Sequence, residues 1–500
     1  MVDITEKMKY VDNLIEKAKY FTINRARQFG KSTVLKWIKN HYSGRYYVAD
    51  ISFEITSSSD WVSDESFCTA LCAKMVSAFN DSGNIPFANI WNKAKNSKMK
   101  FDELSDFIKN FCKNADKPVI LTIDEVDKSL DNQLFLNFLG MLRNLYLERE
   151  NRDIATFHSV VLAGVYDVKN LKLKIRPDAG KKYNSPWNVA ADFNLDMTFH
   201  PHEIAQMLSD YEADYNTGMD IKAISEEIYR YTFGYPVLVS ALCKIIDEQL
   251  DKDWTLDGIL RSVKTLMKST EFTLTDDLSK NLNNYPELHQ YLFDISVNGA
   301  QYSFSPLDPV MKMAYMFGYI KERDGQVVIH NLFFEEAMHL YFTEEYKRKN
   351  SFFDTMSRST YIQNGDLNMV NVIRRFSDLM QDEYRGRDQK FIEQQGRLLF
   401  LCYLKPIING TGFYYVEPQT RENSRMDLVV TYNKKEYVIE LKIWHGTEYE
   451  TDGKTQLAEY LETRHLAEGY LVTFSFLKNK KVTKARWIEH HGKRIYEAVI

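Results

Sequence analysis

Two groups of residues have the types and spacing to do chemistry on phosphates. The first is Gly30-Lys31-Ser32-Thr33, which follows a short apolar run, Tyr20 to Ile23, and a polar loop, Asn24 to Phe29. A helix opening at Gly30 would aim its N-terminal amides, and the positive end of its dipole, at an anion. Lys31 would neutralise β- and γ-phosphate charge, Ser32 would ligate Mg²⁺, and Thr33 would add a second hydroxyl. This is the layout of a P-loop. Its partner stands at the end of Pro118-Val-Ile-Leu-Thr-Ile-Asp124, a strand-like run charged only at its last position. In a Walker B arrangement Asp124 orders the water shell of the metal and Glu125 activates the attacking water. The pattern Gly-x-x-x-x-Gly-Lys-Ser/Thr asks for a first glycine at position 25, where Arg25 stands. A Gly-Lys-Ser triplet alone is a weak signal, and Asp124-Glu125 alone is an acidic turn. The two together, among alternating strands and helices, point to ATP.

The second group is Asp427, within Arg425-Met-Asp-Leu-Val-Val430, and Glu440 and Lys442, within Tyr437-Val-Ile-Glu-Leu-Lys-Ile443. Residues two apart on a strand share a face, so Glu440 and Lys442 project together. A hairpin turn near Asn433-Lys434 would return the second strand beside the first. Asp427 and Glu440 would then converge on an oxygen-rich pocket suited to Mg²⁺ or Mn²⁺. Lys442 would orient a water or stabilise developing charge. By itself a Glu-x-Lys pair on a strand more often marks a solvated face with a cross-strand salt bridge. Gln456 and Tyr460 follow, spaced i,i+4 on one face of an expected helix.

These groups need elements to hold them. Met8 to Lys19 reads as an amphipathic helix, and Tyr46 to Ile51 and Ser159 to Gly164 read as strands. Strands alternating with helices argue for a parallel, doubly wound sheet. From about Pro201 to Glu344 the pattern is helical, interrupted by a short strand at Gln301 to Phe304. A hairpin follows, Tyr319 to Arg323 and Gln326 to His330, around Asp324-Gly325. Helices followed by a hairpin suggest a winged helix, which serves either as a DNA reader or as a packing lid. The charged run Tyr346-Lys-Arg-Lys-Asn-Ser351 reads as the main boundary. Beyond it come helices at Met369 to Leu379 and Arg387 to Leu404, then strands at Phe413 to Val416, Met426 to Thr431 and Tyr437 to Ile443. A helix, Lys454 to Ala467, and a strand, Gly469 to Phe474, close the series. The expected class is α/β, in three domains: a P-loop sheet at 1–200, a helical, winged-helix-like lid at 201–350, and an α/β domain at 351–500.

Composition sets the limits. A chain of 500 residues exceeds one ordinary core. The net charge of −5 gives no global pull toward nucleic acid, so any contact must be local. Lys478, Lys480, Lys481, Lys484, Arg486, Lys493 and Arg494 form one candidate stripe, read equally well as solvated strand and turn faces. The five scattered cysteines fit a reducing compartment, with Cys68 and Cys72 as core residues. His445, His490 and His491 read as structural or surface residues. Met1 to Glu6 carries acids and no apolar run, and no stretch reaches about 18 apolar residues, so neither a signal peptide nor a membrane span is expected. The expected location is cytoplasmic, and the sequence leaves self-association open.

Residues 20–345 resemble a family of bacterial AAA-ATPase-like proteins. The likeness is carried by Arg25-Ala-Arg-Gln-Phe-Gly-Lys-Ser32, Leu162-Ala-Gly-Val-Tyr-Asp-Val-Lys-Asn-Leu171 and Ser185-Pro-Trp-Asn-Val-Ala-Ala-Asp-Phe193. Thr232-Phe-Gly-Tyr-Pro236 is similar to a Gly-x-Pro motif in the lid of related ATPases. The missing first glycine is a trait of that family. The resemblance implies a nucleotide-binding set of Arg27, Gln28, Phe29, Gly30, Lys31, Ser32, Thr33 and Asp124. Its members typically end in a PD-(D/E)XK domain, the restriction-endonuclease-like fold. Asp427, Glu440 and Lys442 occupy the motif positions here, with Met426 in place of the nominal proline. Glu393 matches the upstream acidic position, implied as a further metal ligand. Gln456 and Tyr460 resemble the Gln-x-x-x-Tyr motif of RecB-like nucleases. The resemblance therefore implies ATP binding coupled to a Mg²⁺- or Mn²⁺-dependent nuclease on DNA, with a role in defence or mobile-element control. The alternative is a nucleotide-dependent switch or scaffold whose nuclease-like domain binds without cutting.

Overall fold

The computed structural model describes residues 2–54, 57–126, 132–152, 154–165, 187–350, 361–383, 389–408, 412–416, 426–433, 435–443, 447–474 and 485–500. The chain divides into two compact units. One comprises Met1–Tyr229, Gly234–Ala241 and Met316–Gly318; the other comprises Arg230–Phe233, Leu242–Tyr315 and Tyr319–Ile500.

The first unit is built on β1 (Phe21–Asn24), β2 (Tyr47–Ser52), β3 (Val119–Asp124) and β4 (Ser159–Gly164). Their order is β1-β4-β3-β2, and every pairing is parallel. β3 and β4 read as unbroken apolar runs because both faces are covered: all of β4 and all of β3 except Asp124 are buried. Helices supply the crossovers that parallel strands require. On one side an aromatic core gathers Phe67, Phe79, Trp91, Phe135 and Phe138, with Cys68 and Cys72 among them. Burial pushes both thiols up to about 12, so they are inert core residues. The segment from Trp187 closes the free edge of β1. Trp187 Nε1 donates to Thr22 Oγ1 at 2.9 Å, and Ala191 pairs in parallel with Phe21. The rest of that stretch, Ser185 and Pro186, and Tyr166 to Leu171 lie outside the described residues.

The second unit contains helices Leu256–Lys268, Thr273–Asn284 and Pro286–Ser296, then the hairpin of β5 (Ile320–Arg323) and β6 (Gln326–Ile329). Asp324 and Gly325 both have positive φ, 52° and 76°, as a two-residue type I′ turn requires. The strand expected at Gln301 to Phe304 is only an isolated bridge from Ser303 to Gln326. The charged run from Tyr346 is not a break before Asn350. It is the last turn of the helix Leu332–Asn350, with Tyr346 buried. Basic residues favour that end of a helix because they meet its exposed carbonyls. Ser351 lies outside the described residues.

A small hairpin, β7 (Ile362–Gln363) with β8 (Asp366–Leu367), precedes helices Met369–Glu383 and Gln389–Ile408. Six strands then form one sheet: β9 (Gly412–Val416), β10 (Met426–Tyr432), β11 (Lys435–Ile443), β12 (Glu468–Phe474), β13 (Arg486–His490) and β14 (Lys493–Val499). The order is β13-β14-β12-β11-β10-β9. β12 is parallel to both neighbours, and the outer pairs are antiparallel. Helix Thr447–Thr463 begins earlier than its sequence pattern suggests and packs Leu457 and Leu461 against Val429, Val438, Leu471 and Ile495. Among the described residues no helix is long and apolar enough to cross a membrane.

Candidate functional site

The loop after β1 lies at the carboxyl ends of the parallel strands, where sheets of this kind hold ligands. The Arg25 amide donates to the Gly164 carbonyl at the end of β4, at 3.2 Å. The loop then passes through two left-handed residues, Gln28 (φ 58°) and Gly30 (φ 83°). Gly30 is the N-cap of helix Lys31–Tyr42, in a conformation glycine adopts without strain. Backbone curved in this way gathers amides on a concave, anion-binding side. Arg25 is not among the left-handed residues, so this loop has no need of glycine there. The Arg25 guanidinium instead donates to the carbonyls of Phe193 (3.1 Å) and Leu195 (2.6 Å).

Lys31 is 8% exposed, and its amine donates to the carbonyls of Arg25 and Ala26, each at 3.0 Å. Ser32 Oγ donates to Asp124 Oδ2 at 2.7 Å. That bond joins the loop to β3 although β4 lies between β1 and β3 in the sheet. The other carboxylate oxygen of Asp124 accepts from the Glu125 amide at 2.8 Å. A hydroxyl and a carboxylate side by side are donors that suit a hard divalent cation. Glu125 has φ 55°, a left-handed conformation uncommon for its residue type and concentrated at functional sites. Arg27, Gln28, Ser32 and Thr33 are exposed. Phe29 is buried, its ring in edge contact with Tyr235 (centroids 4.6 Å apart), so it can offer a phosphate only its backbone.

In the second unit the register sets Asp427 directly opposite Glu440. The turn between their strands includes Asn433 at φ 47°, a residue that tolerates the left-handed region. Glu440 is 1% exposed, and Lys442 Nζ lies 3.5 Å from its Oε1. Lys442 packs on Gly453 of helix Thr447–Thr463, where any side chain would overlap its amine. Gln456 and Tyr460 lie half-buried further along that helix. The carbonyl oxygen of Gln456 is buried with no hydrogen-bond partner among the described residues. Tyr460 packs against the apolar cluster beneath the helix, with the Arg464 guanidinium over its ring. Glu393 belongs to helix Gln389–Ile408; its side chain and that of Asp427 lie outside the described residues. Among the described residues no group of three or more His, Cys, Asp or Glu could hold a metal.

The cross-strand row continues from Glu440 to Leu471, Glu497 and Arg486. Glu497 is buried, with Lys454 Nζ at 2.8 Å and Arg486 at 3.8 Å. The sequence reading missed this pair; its signal was a lone acid inside the apolar run Ile495 to Ile500. Three basic residues of this C-terminal stretch that are described each lie beside an acid. Arg486 faces Glu497, Lys493 pairs with Glu462 at 2.5 Å, and Arg494 with Glu468 at 2.6 Å. Lys478, Lys480, Lys481, Lys484 and His445 lie outside the described residues. His490 Nε2 meets Thr455 Oγ1 at 3.1 Å, and His491 is exposed.

A family model described as the AAA-like domain matches residues 4–343. The chain belongs to this AAA-like family, and its first unit is a P-loop ATPase-like module. No curated protein matches. Among solved structures, the chain is similar to a Walker-type ATPase of Pyrococcus abyssi, at 13% identity and TM-score 0.48, covering 68% of this chain and 96% of that one. It is similar to the RuvB Holliday junction branch migration motor of Thermotoga maritima, at 12% identity and TM-score 0.34, covering 71% and 96%. The ADP form of the ORC2 protein of Aeropyrum pernix matches at 11% identity and TM-score 0.32, covering 65% and 88%.

Proposed function

We propose that this chain binds and hydrolyses ATP and couples that cycle to a Mg²⁺- or Mn²⁺-dependent nuclease that hydrolyses phosphodiester bonds in DNA. The ATP half is carried by the Ser32–Asp124 hydrogen bond, which brings the phosphate loop and the acidic strand end together. Amides at the start of helix Lys31–Tyr42 receive the phosphates, and Lys31 leaves its two carbonyls to neutralise them. Glu125, held at the strand end, takes the proton of the attacking water.

The nuclease half is supported by the Asp427–Glu440 register and by the buried Glu440–Lys442 pair. Asp427, Glu440 and Glu393 would hold the cation, which when bound supplies Lewis acidity and an activated water. Lys442 places positive charge beside the reacting phosphate, and Gln456 and Tyr460 orient substrate from the helix above. In this reading residues 1–200 are the ATPase, 201–350 its lid and 351–500 the nuclease. The test is cleavage of plasmid and linear DNA with Mg²⁺ or Mn²⁺, with and without ATP, for the wild type, Lys31→Ala and Glu440→Gln. ATP turnover with no cleavage under any condition would leave the second reading, a nucleotide-dependent switch or scaffold. One observation favours that reading: Arg486, Lys493 and Arg494 face acids of their own chain.

A further inference from the structure

We infer that Tyr235 and Gly318 form a brace that holds the phosphate loop in its anion-receiving shape, which makes Tyr235 a positioning residue for the nucleotide. The inference rests on the nucleotide reading of the Gly30–Thr33 site and deepens it. Tyr235 is fully buried, and its hydroxyl donates to the Arg27 carbonyl at 2.7 Å, across 208 positions of sequence. Its ring meets the edge of Phe29. Gly318 lies against the same loop. A Cβ there would come 2.8 Å from the Ala26 Cβ and 3.5 Å from Tyr235 Cε2, and the residue has φ +77°. The brace therefore touches the loop at positions 26, 27 and 29.

The effect follows from the planarity of the peptide. A carbonyl and the next amide point opposite ways, so fixing one fixes the other. The carbonyls of Arg25, Ala26 and Arg27 all have donors: Lys31 for the first two, Tyr235 for the third. When Lys31 turns to a phosphate, its two carbonyls lose that donor. The Tyr235 bond does not depend on the ligand and stays. It keeps the Arg27 carbonyl turned away and the Gln28 amide turned in. Without it the peptide can rotate and present a carbonyl oxygen to the phosphate, which repels it.

The experiment measures ADP and ATPγS binding by calorimetry on the full chain, for the wild type, Tyr235→Phe, Gly318→Ala and Lys31→Ala. Nucleotide-free melting points and steady-state ATP turnover are measured beside it. Phenylalanine keeps the ring contacts and removes only the donor, so in the nucleotide-free protein the freed peptide relaxes into rotated shapes; binding must turn it back at a cost of about one net hydrogen bond, and Kd should rise about fivefold. KM should rise with it, kcat should hold within about twofold, and the nucleotide-free melting point should fall by no more than roughly 2–4 °C, the loss of one net hydrogen bond. Gly318→Ala should raise Kd at least as much. Unchanged Kd in both variants, with binding abolished in Lys31→Ala, overturns the brace and leaves the nucleotide site standing. A Tyr235→Phe melting point that falls well beyond roughly 4 °C, together with affinity and kcat, shows a packing role and also overturns it. Binding equal in the wild type and Lys31→Ala overturns the nucleotide reading itself, and the brace with it.

Discussion

Lys442→Met isolates the charge that the second site contains. Lys442 and Glu440 are 8% and 1% exposed at the side chain, and their charged atoms are 3.5 Å apart. Methionine keeps an unbranched stem of similar length against Gly453, so little cavity opens. What changes is that the buried Glu440 carboxylate loses the amine that lies 3.5 Å from it. Breaking a buried ion pair by removing one partner costs ~3–5 kcal/mol. In a unit of this size each kcal/mol moves the melting point by roughly 2–4 °C, so a fall on the order of 10 °C is expected. The assay is thermal unfolding in EDTA, repeated with Mn²⁺. A cation bound at Glu440 would replace the missing charge, and at a hundredfold excess over Kd it stabilises by about 2.7 kcal/mol. Mn²⁺ should therefore recover most of the loss. Glu440→Gln combined with Lys442→Met should melt above Lys442→Met alone, because a neutral amide needs no counter-charge. A Lys442→Met protein that melts like the wild type, or that Mn²⁺ fails to stabilise, refutes the reasoning.

Lys31→Ala should fold and lose ATP binding, and undiminished binding of labelled nucleotide by the folded variant would remove the phosphate site. Glu125→Gln should bind ATP and turn it over at least a hundredfold more slowly, roughly the low end for a lost general base; unchanged turnover would show that the base lies elsewhere. Burial, with Arg323 beside it, pushes the Lys321 amine down to about 7 although it lies over the Phe233 ring. The unfolded chain then binds more protons than the folded one from about pH 7 to pH 10.5, so stability rises with pH across that window. Lys321→Met should lose that rise in denaturant titrations at neutral and alkaline pH, and an unaltered pH slope would refute the assignment.

What was legible in the sequence was local. Gly30-Lys31-Ser32 after an apolar strand signals a loop and a helix start because each residue type has one strong conformational or chemical reason to be there. Asp427 could be set against Glu440 because Asn433 marks a turn and a two-residue period fixes the register. The brace was not legible, because nothing in the periodicity near Tyr235 or Gly318 says which loop they will meet. The basic run after Tyr346 misled because charge clusters mark both linkers and helix ends, and only packing distinguishes them. The strand expected at Gln301 to Phe304 failed for a similar reason: its apolar alternation is real, but it finds a single partner at Gln326.

Lys31 and Lys442, both buried, argue for different kinds of site. Two of the hydrogen bonds of the Lys31 amine go to neutral carbonyls, each worth about 1 kcal/mol net. A multiply charged phosphate outbids such partners easily, so the amine is ready to change allegiance when nucleotide arrives and to return when it leaves. Lys442 already faces a carboxylate in a buried setting, where separating the pair is costly. An incoming phosphodiester cannot draw it off cheaply, and Glu440 would repel the diester. On the proposed nuclease reading, a cation held by the carboxylates would bring most of the positive charge for that substrate, and Lys442, held in place beside Glu440, would add its own from a fixed position. The loop site is thus suited to a cycle of binding and release, and the carboxylate site to fixed, preorganised charge.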